Sequence, residues 1–182
     1  MKDASFTIRT LAPALAIQQA VSRKTHGAVG AFDVALPGVE CRSGGTAGDH
    51  TVVFTFTNNI VSGSANLTSG VAKISGAPVF SGNTMTVNLT GVINAQTISV
   101  TLGSVTDAFA QVLPDTAITA SFLIGDTTGN GAVTASDVGQ TRSLSGQPLD
   151  ATNFRADLNI SGSISASDIG FVKSQTGTQL PP

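Results

Sequence analysis

Residues 125–146 read GDTTGNGAVTASDVGQTRSLSG, and residues 156–177 read ADLNISGSISASDIGFVKSQTG. When the two stretches are aligned at a spacing of 31 residues, identical or chemically similar residues recur along their whole length. The matching pairs are Asp126/Asp157, Gly131/Gly162, Val133/Ile164, Ala135/Ala166, Ser136/Ser167, Asp137/Asp168, Val138/Ile169, Gly139/Gly170 and Gly146/Gly177. This agreement indicates an internal duplication.

Each copy contains twelve residues with the oxygen spacing of a calcium-binding loop. Such a loop places ligands at positions 1, 3, 5, 7, 9 and 12, uses a backbone carbonyl at position 7, and needs glycine at position 6. The candidate ligands of loop 1 (residues 126–137) are Asp126, Thr128, Asn130, the Ala132 carbonyl, Thr134 and Asp137. Those of loop 2 (residues 157–168) are Asp157, Asn159, Ser161, the Ser163 carbonyl, Ser165 and Asp168. We therefore expect two bound Ca²⁺ ions.

A simpler interpretation of the same residues is two Asx/Gly turns that lead into capped helices. That interpretation does not explain why the same twelve-residue spacing occurs twice. Four of the eleven acidic residues occupy positions 1 and 12 of the two loops, which favours calcium. Two carboxylates per loop just balance one Ca²⁺, so we expect weak binding with a Kd of roughly 10⁻⁵–10⁻³ M.

The tandem, about residues 122–178, resembles a type I dockerin, in which each calcium loop leads into a helix. The resemblance implies a paired F-hand calcium domain with two Ca²⁺ ions. It departs from the family where Thr or Ser replaces the Asp or Asn common at positions 3, 5 and 9. Helices are expected at 136–145 and 168–176, with a shorter one near 150–155. Val133 and Ile164, at position 8, are expected to pair in a short β-bridge.

Dockerins bind cohesin domains through loop positions 10 and 11, and the resemblance implies the same face here. The residues at those positions are Ala135, Ser136, Ala166 and Ser167. Small residues at a helix start also simply satisfy the first backbone N–H groups, and both interpretations stay open. No Pro/Thr/Ser linker precedes loop 1, so we expect the tail to pack on the preceding domain.

The region from residue 27 to residue 124 has the alternating pattern of β-strands. Hydrophobic residues alternate with Thr, Ser or Asn along 84–90 and 97–102, and further strands are expected at 31–36, 51–57, 71–75 and 116–124. Turns are expected at 43–45, 62–63, 81–83 and 113–115. About seven short strands predict an Ig-like antiparallel β-sandwich, with a jelly roll as the alternative. The fold class is thus mostly β with a small α-helical C-terminal module.

Residues 1–26 are interpreted as a leader that precedes this sandwich. Phe6 and Ile8 alternate with polar residues, which is typical of a half-buried strand. Such a strand could pair with the open sheet edge of a neighbouring copy and so build a head-to-tail filament. The alternatives are that it folds back on its own domain, is disordered, or is a processed export signal. Phe6 and Ile8 are therefore the candidate contacts for self-assembly.

Composition restricts the function classes. The net charge is −2, with no clustered basic face to indicate a nucleic-acid partner. The longest apolar run is too short for a membrane span. No nucleophile elbow, zinc spacing or phosphate loop is present, so we expect no enzyme. Cys41 is expected to be a buried free cysteine, and His26 and His50 to lie in surface loops.

Sandwich and tail together resemble the C-terminal region of large, repeat-bearing bacterial surface proteins. The sequence thus predicts domains at 1–26, 27–124 and 125–182. We expect a secreted or cell-surface bacterial protein that is stabilised by calcium and serves an extracellular structure or filament. The alternative is an adaptor whose tail binds a cohesin-like receptor.

Overall fold

The computed structural model describes residues 11–182, and the fold is mostly β with two helices near the C-terminus. In chain order the strands are β1 (Ile17–His26), β2 (Gly30–Ala35), β3 (Val39–Glu40), β4 (His50–Phe56), β5 (Ile60–Ser69), β6 (Lys73–Ile74), β7 (Val79–Ser81), β8 (Thr84–Thr90), β9 (Gln96–Asp107) and β10 (Thr116–Phe122). One sheet has the order β2-β1-β4-β8-β6, and β7 also pairs with β8. The other has the order β3-β10-β9-β5. All pairs are antiparallel except β3 with β10.

The two sheets share one hydrophobic core. Met85, Val87 and Leu89 of β8 alternate with exposed or half-buried polar residues, and all three are almost fully buried. Residues of β9 and β10 from the second sheet join the same core, for example Ile98 and Phe122. The alternating hydrophobic side chains therefore face inward, as the sequence predicts. Two sheets around one core are compatible with a β-sandwich.

The first strand corrects the predicted boundary of the leader. β1 lies within residues 1–26, yet it pairs with β2 on one side and β4 on the other. Its inward side chains include Ser22, Lys24 and His26, which are buried and polar. Polar residues at inward positions hid the alternation that marks a strand. Phe6 and Ile8 lie outside the described residues.

One predicted turn is also wrong. Ser62 and Gly63 belong to β5, which pairs with β9 over most of its length. A Cβ on Gly63 would lie 3.0 Å from a methyl group of Val105, so glycine permits close packing here and does not mark a turn. The strand predicted at 71–75 shortens to β6.

The C-terminal module (residues 125–182) contains α1 (Ala135–Leu144), a 3₁₀ turn (Phe154–Ala156) and α2 (Ala166–Gln175). Both helices lie within one or two residues of the predicted bounds. Val133, Leu158 and Val172 form a second small core together with Leu123, which follows β10 directly. None of the helices within residues 11–182 is long and apolar enough to span a membrane.

The predicted bridge between Val133 and Ile164 is wrong, because each of the two residues pairs with the end of a helix. The Val133 carbonyl accepts from Gly177 N at 2.9 Å, and the Ile164 carbonyl accepts from Gly146 N at 2.9 Å. Gly177 follows α2 and Gly146 follows α1, so each loop is tied to the end of the other repeat's helix. The two repeats are therefore interlocked, which explains why the duplication extends to these glycines.

The module packs against the two sheets, as the missing linker predicts. Phe154 stacks on Phe32 of β2, with ring centroids 5.3 Å apart and planes 7° apart. The Arg42 guanidinium lies over the Phe154 ring, 5.1 Å from its centroid. Backbone bonds add to the contact, since Gly125 N donates to the Cys41 carbonyl at 3.0 Å.

Candidate metal centre

Loop 1 closes around the carboxylate of Asp126, which is fully buried. One carboxylate oxygen accepts from the backbone N–H groups of Gly129 at 2.8 Å and Asn130 at 3.0 Å. The other accepts from Gly131 N at 2.8 Å. The chain can reach these amides because Gly131, at position 6, has a φ of +88°, a backbone region that favours glycine.

Asp137, at position 12, is the second buried carboxylate of loop 1. It accepts from Thr128 N at 3.0 Å and from Thr134 N at 2.8 Å. Burial alone would raise the pKa of Asp137, but the hydrogen bonds from Thr128 and Thr134 outweigh it and lower that pKa. Asp137 also forms the capping box of α1 with Thr134, so one side chain both starts the helix and faces the loop.

The Thr128 hydroxyl shows that positions 1, 3 and 12 converge. Its Oγ1 lies 2.9 Å from an oxygen of Asp137 and 3.3 Å from an oxygen of Asp126. One hydroxyl carries a single proton, so it can donate to only one of the two carboxylates at a time. Two negative groups therefore face the same small space.

The other candidate ligands of loop 1 are less closely gathered. The Asn130 side-chain oxygen accepts from Ala132 N at 3.0 Å, and Thr134 Oγ1 lies 3.3 Å from Asp137 Oδ2. The backbone of Ala132 forms an isolated bridge with Gln179. Carbonyl and carboxylate oxygens both accept, so hydrogen bonds cannot link the Ala132 carbonyl to the aspartates.

Loop 2 repeats this arrangement around Asp157 and Asp168, both fully buried. Asp157 accepts from Ser161 N at 3.0 Å and Gly162 N at 2.8 Å, and Gly162 has a φ of +93°. Asp168 accepts from Ser165 N at 3.0 Å and Asn159 N at 3.3 Å. The backbone of the two loops is thus organised by the same pair of carboxylates.

Ser161, at position 5 of loop 2, contacts the residues at positions 1 and 7. Its Oγ lies 3.4 Å from Asp157 Oδ1 and 3.2 Å from the Ser163 carbonyl oxygen. Ser165 Oγ, at position 9, lies 3.0 Å from Asp168 Oδ2. The Asn159 amide is turned in part towards Ser167 Oγ, 2.9 Å away, and its oxygen accepts from Ser161 N.

These residues fit a hard divalent cation. The ion pairs found within residues 11–182 involve Asp33, Glu40 and Asp157, so no basic side chain pairs with Asp126, Asp137 or Asp168. Burying a carboxylate is costly unless a cation or several hydrogen bonds compensate it. Calcium prefers carboxylate, hydroxyl, amide and carbonyl oxygens, which are the groups present in both loops.

No group of three or more His, Cys, Asp or Glu side chains gathers as a metal site within the described part of the chain. Each loop supplies only two carboxylates, and its other candidate ligands are hydroxyl, amide and carbonyl oxygens. That finding therefore does not bear on calcium.

One contact of loop 2 is not predictable from the sequence. His26, at the end of β1, is fully buried, and its Nδ1 lies 2.8 Å from Asp157 Oδ2. The opposite ring nitrogen, Nε2, lies 3.0 Å from Arg42 Nη1. Burial lowers the pKa of His26 and outweighs the opposing effect of its bond to Asp157. No local motif marks His26, because its partners lie far away along the chain.

Behind His26 lies a buried ion pair between Arg42 and Glu40, the only glutamate. Arg42 donates to Glu40 through Nε at 2.8 Å and Nη2 at 2.7 Å, and Ser22 Oγ donates to the same carboxylate at 2.6 Å. Burial alone would raise the pKa of Glu40, but Arg42 outweighs it and holds that pKa at about 2. Ser22, Glu40, Arg42, His26 and Asp157 thus form one continuous buried polar network.

The histidine and cysteine predictions have different outcomes. Cys41 is fully buried, as expected, and burial raises the pKa of its thiol to about 12. His26 and His50 are both buried, so the prediction of surface loop histidines is wrong. Both side chains lie at inward positions of strands: His26 ends β1, which the sequence does not predict, and His50 begins β4, one residue before the strand predicted at 51–57.

The four candidate partner-binding residues lie at the surface. Ala135, Ser136, Ala166 and Ser167 occupy the first turns of α1 and α2, and all four are exposed. Their side chains are therefore accessible in both repeats.

No protein-family model, curated protein or solved structure matches the chain significantly.

Proposed function

We propose that this protein is a calcium-stabilised, non-catalytic structural or assembly protein that works outside a bacterial cell, secreted or at the cell surface. In this proposal residues 11–124 form most of an Ig-like β-sandwich, and residues 125–182 form a dockerin-like domain that holds two Ca²⁺ ions. The observation that carries the proposal is that each loop contains two buried carboxylates, and that three of these four have no basic partner within residues 11–182.

The residues that would hold the ions are those of the two loops. In loop 1 they are Asp126, Thr128, Asn130, the Ala132 carbonyl, Thr134 and Asp137, and in loop 2 Asp157, Asn159, Ser161, the Ser163 carbonyl, Ser165 and Asp168. A bound Ca²⁺ would supply the positive charge that offsets each pair of buried carboxylates. Metal binding to such loops contributes directly to folding, because the unfolded chain does not hold the ligands together.

Calorimetric titration with calcium tests this part of the proposal. We expect a stoichiometry near two, and Asp126→Ala or Asp157→Ala should each remove one site. Asp150→Ala is the matched control, since Asp150 belongs to the same module but lies outside both loops. A stoichiometry of zero for protein shown to be folded would end the calcium proposal.

The open sheet edges support assembly. Within residues 11–182, β2 and β5 each end a sheet and pair on one side only. An apolar surface depression of about 340 Å³ lies where the described chain begins, lined by Leu11, Ala12, Ala14, Phe109 and Gln111. A strand from a neighbouring copy that carries Phe6 and Ile8 would satisfy such an edge, and a head-to-tail contact of this kind propagates into a filament.

Electron microscopy with and without calcium tests assembly, together with a deletion of residues 1–10. The deletion must stop there, because Ile17–His26 is a strand of the sheet and the Pro13 carbonyl accepts from Asn58 Nδ2 at 2.8 Å. We expect the shortened protein to remain folded, bind calcium and fail to assemble. Replacement of both Phe6 and Ile8 by Asn should act like the deletion, whereas Ser5→Asn with Thr7→Asn should not. Unchanged filaments after the deletion would refute strand donation.

The adaptor function is the second candidate, and the exposure of the two Ala-Ser pairs favours it. In that case the first turns of α1 and α2 would contact a cohesin-like domain. Ala135→Arg with Ala166→Arg should then abolish binding of a cohesin-type domain and leave calcium binding unchanged. A cohesin-type domain that fails to bind the native protein would exclude this candidate.

A further inference from the structure

The duplication supplies an internal comparison, because among the described residues a side chain from outside the module contacts the position-1 aspartate of loop 2 but not that of loop 1. In loop 1 the side-chain donor to Asp126 comes from within the loop, the Thr128 hydroxyl at 3.3 Å. In loop 2 the equivalent Asp157 is also contacted from a different part of the chain, by His26 Nδ1 at 2.8 Å. The side chains of His26 and Asp157 are both fully buried.

Arg42 determines which nitrogen of His26 carries the proton. An arginine side chain can only donate, so His26 Nε2, 3.0 Å from Arg42 Nη1, must accept. The single proton of the neutral ring is therefore on Nδ1, where it is donated to Asp157 Oδ2. The other carboxylate oxygen, Asp157 Oδ1, is oriented by loop 2 itself, because it accepts from Ser161 N.

Arg42 is itself held in place on several sides. Besides Glu40, it donates to the Phe32 carbonyl at 2.9 Å and to the Ser22 carbonyl at 3.0 Å. His26, the donor to Asp157, is therefore supported by a buried polar network that joins β1, β2 and β3. Residues that orient a metal ligand from behind in this way raise metal affinity, and their loss typically weakens it 10- to 100-fold.

Backbone hydrogen bonds also connect the two-sheet region with loop 2. Gly27 N donates to the Ile160 carbonyl at 3.0 Å, and Ser43 N donates to the Leu158 carbonyl at 2.8 Å. A Cβ on Gly27 would lie 2.4 Å from the Ser161 carbonyl oxygen, so the turn after β1 fits closely against loop 2. Loop 1 contacts the C-terminal tail, where Leu180 N donates to the Gly131 carbonyl at 2.9 Å. It is also bound by Arg155, which donates to the carbonyls of Asp126 at 2.8 Å and of Val39 in β3 at 3.0 Å, so no sheet side chain reaches its carboxylates within residues 11–182.

We propose that His26 is a positioning residue for Asp157, and that the two-sheet region thereby completes the calcium site of loop 2 but not that of loop 1. The inference rests on the proposed calcium function. It follows by linkage that calcium in loop 2 strengthens the contact between the sheets and the module, while calcium in loop 1 does not.

The test is a calcium titration followed by NMR at two glycine amides. Gly131 N and Gly162 N each donate to the position-1 carboxylate of their own loop at 2.8 Å, so each resonance reports one site. In His26→Leu we expect the Kd reported by Gly162 to rise roughly 10-fold and the Kd reported by Gly131 to stay unchanged. In His26→Asn the side-chain amide retains a donor near the place of Nδ1, and much of the affinity should return.

The outcomes separate the two proposals. If neither glycine responds to calcium in the folded native protein, the calcium function itself is wrong. If both respond but His26→Leu leaves the Gly162 titration unchanged, or weakens both sites equally, the calcium function stands and the positioning role is wrong.

A second measurement does not depend on the folding of His26→Leu. Amide exchange of Gly27 and Ser43 reports the two backbone bonds between the sheets and loop 2. Calcium should slow this exchange in the native protein and in Asp137→Asn, which disables loop 1. Calcium should have no such effect in Asp168→Asn, which disables loop 2 and retains the His26–Asp157 contact. Equal protection in the two variants would overturn the inference.

Discussion

Loop 1 and loop 2 share a residue pattern, yet different parts of the chain support them. Loop 1 is closed by the end of α2 and the C-terminal tail, through Val133 and Gly131. Its other support is Arg155, which donates to the carbonyls of Asp126 at 2.8 Å and Thr127 at 2.9 Å. Loop 2 is held by the sheets, through His26 and Gly27. The two copies of a duplicated motif can therefore keep the same residue pattern while different parts of the chain hold them in place.

The tail explains part of this difference. Gln179 and Leu180 bind loop 1, and the residues at the equivalent places after the first helix are Pro148 and Leu149. The turn after β1 occupies the corresponding side of loop 2, where a Cβ on Gly162 would lie 3.1 Å from the His26 carbonyl oxygen.

The largest expected loss of stability comes from the buried polar network behind loop 2. Arg42→Met should lower the free energy of unfolding by about 3–5 kcal/mol, because it leaves Glu40 charged and buried without its partner. Chemical denaturation with saturating calcium measures this loss. Arg23→Met is the matched control: its partner Asp33 lies in a solvent-exposed pair, so the loss should stay below about 1 kcal/mol. Equal losses for the two variants would contradict the structural role of the buried network.

A smaller effect is expected where β1 turns against loop 2. Gly27→Ala should destabilise the protein by more than Gly146→Ala, although both glycines have positive φ, +49° and +82°. Each substitution carries a backbone cost of about 1–2 kcal/mol. Only the Cβ at position 27 also meets another backbone, since nothing lies within 4 Å of a Cβ at position 146. Thermal unfolding of the two variants measures the difference, and the same melting temperature for both would argue against close packing at loop 2.

The smallest effect should come from the opposite side of the module. Deletion of residues 179–182 removes the bond from Leu180 to Gly131 and the bridge between Gln179 and Ala132. The loss should be about 1 kcal/mol and should be confined to loop 1. Amide exchange checks this: Gly131 should exchange faster, whereas Gly162 should keep its native rate. Faster exchange at both glycines would show that the two loops are not supported separately.

The sequence predicts the local parts of this structure well. Spacing alone identifies the two loops, and glycine at position 6 is found with the positive φ that the sharp turn requires. The helices start within two residues of the predicted positions 136 and 168, and β8 and β9 follow from hydrophobic alternation. Each of these features depends on residues that are close together along the chain.

The features that the sequence does not predict depend on distant partners. β1 was missed because Ser22, Lys24 and His26 are polar yet face inward, where Glu40 and Arg42 satisfy part of this polar surface. The contact between His26 and Asp157 joins residues 131 positions apart. The bridge expected between Val133 and Ile164 was wrong for a similar reason, since interlocking of the repeats brings Gly177 and Gly146 to those carbonyls.

The calcium proposal is tested most directly by a crystal structure of the native protein grown with calcium. We expect one ion in each loop, ligated by Asp126 and Asp137 in loop 1 and by Asp157 and Asp168 in loop 2. We also expect His26 Nδ1 still to contact Asp157 in the calcium-bound protein. Folded protein in saturating calcium with no ion in either loop would contradict it.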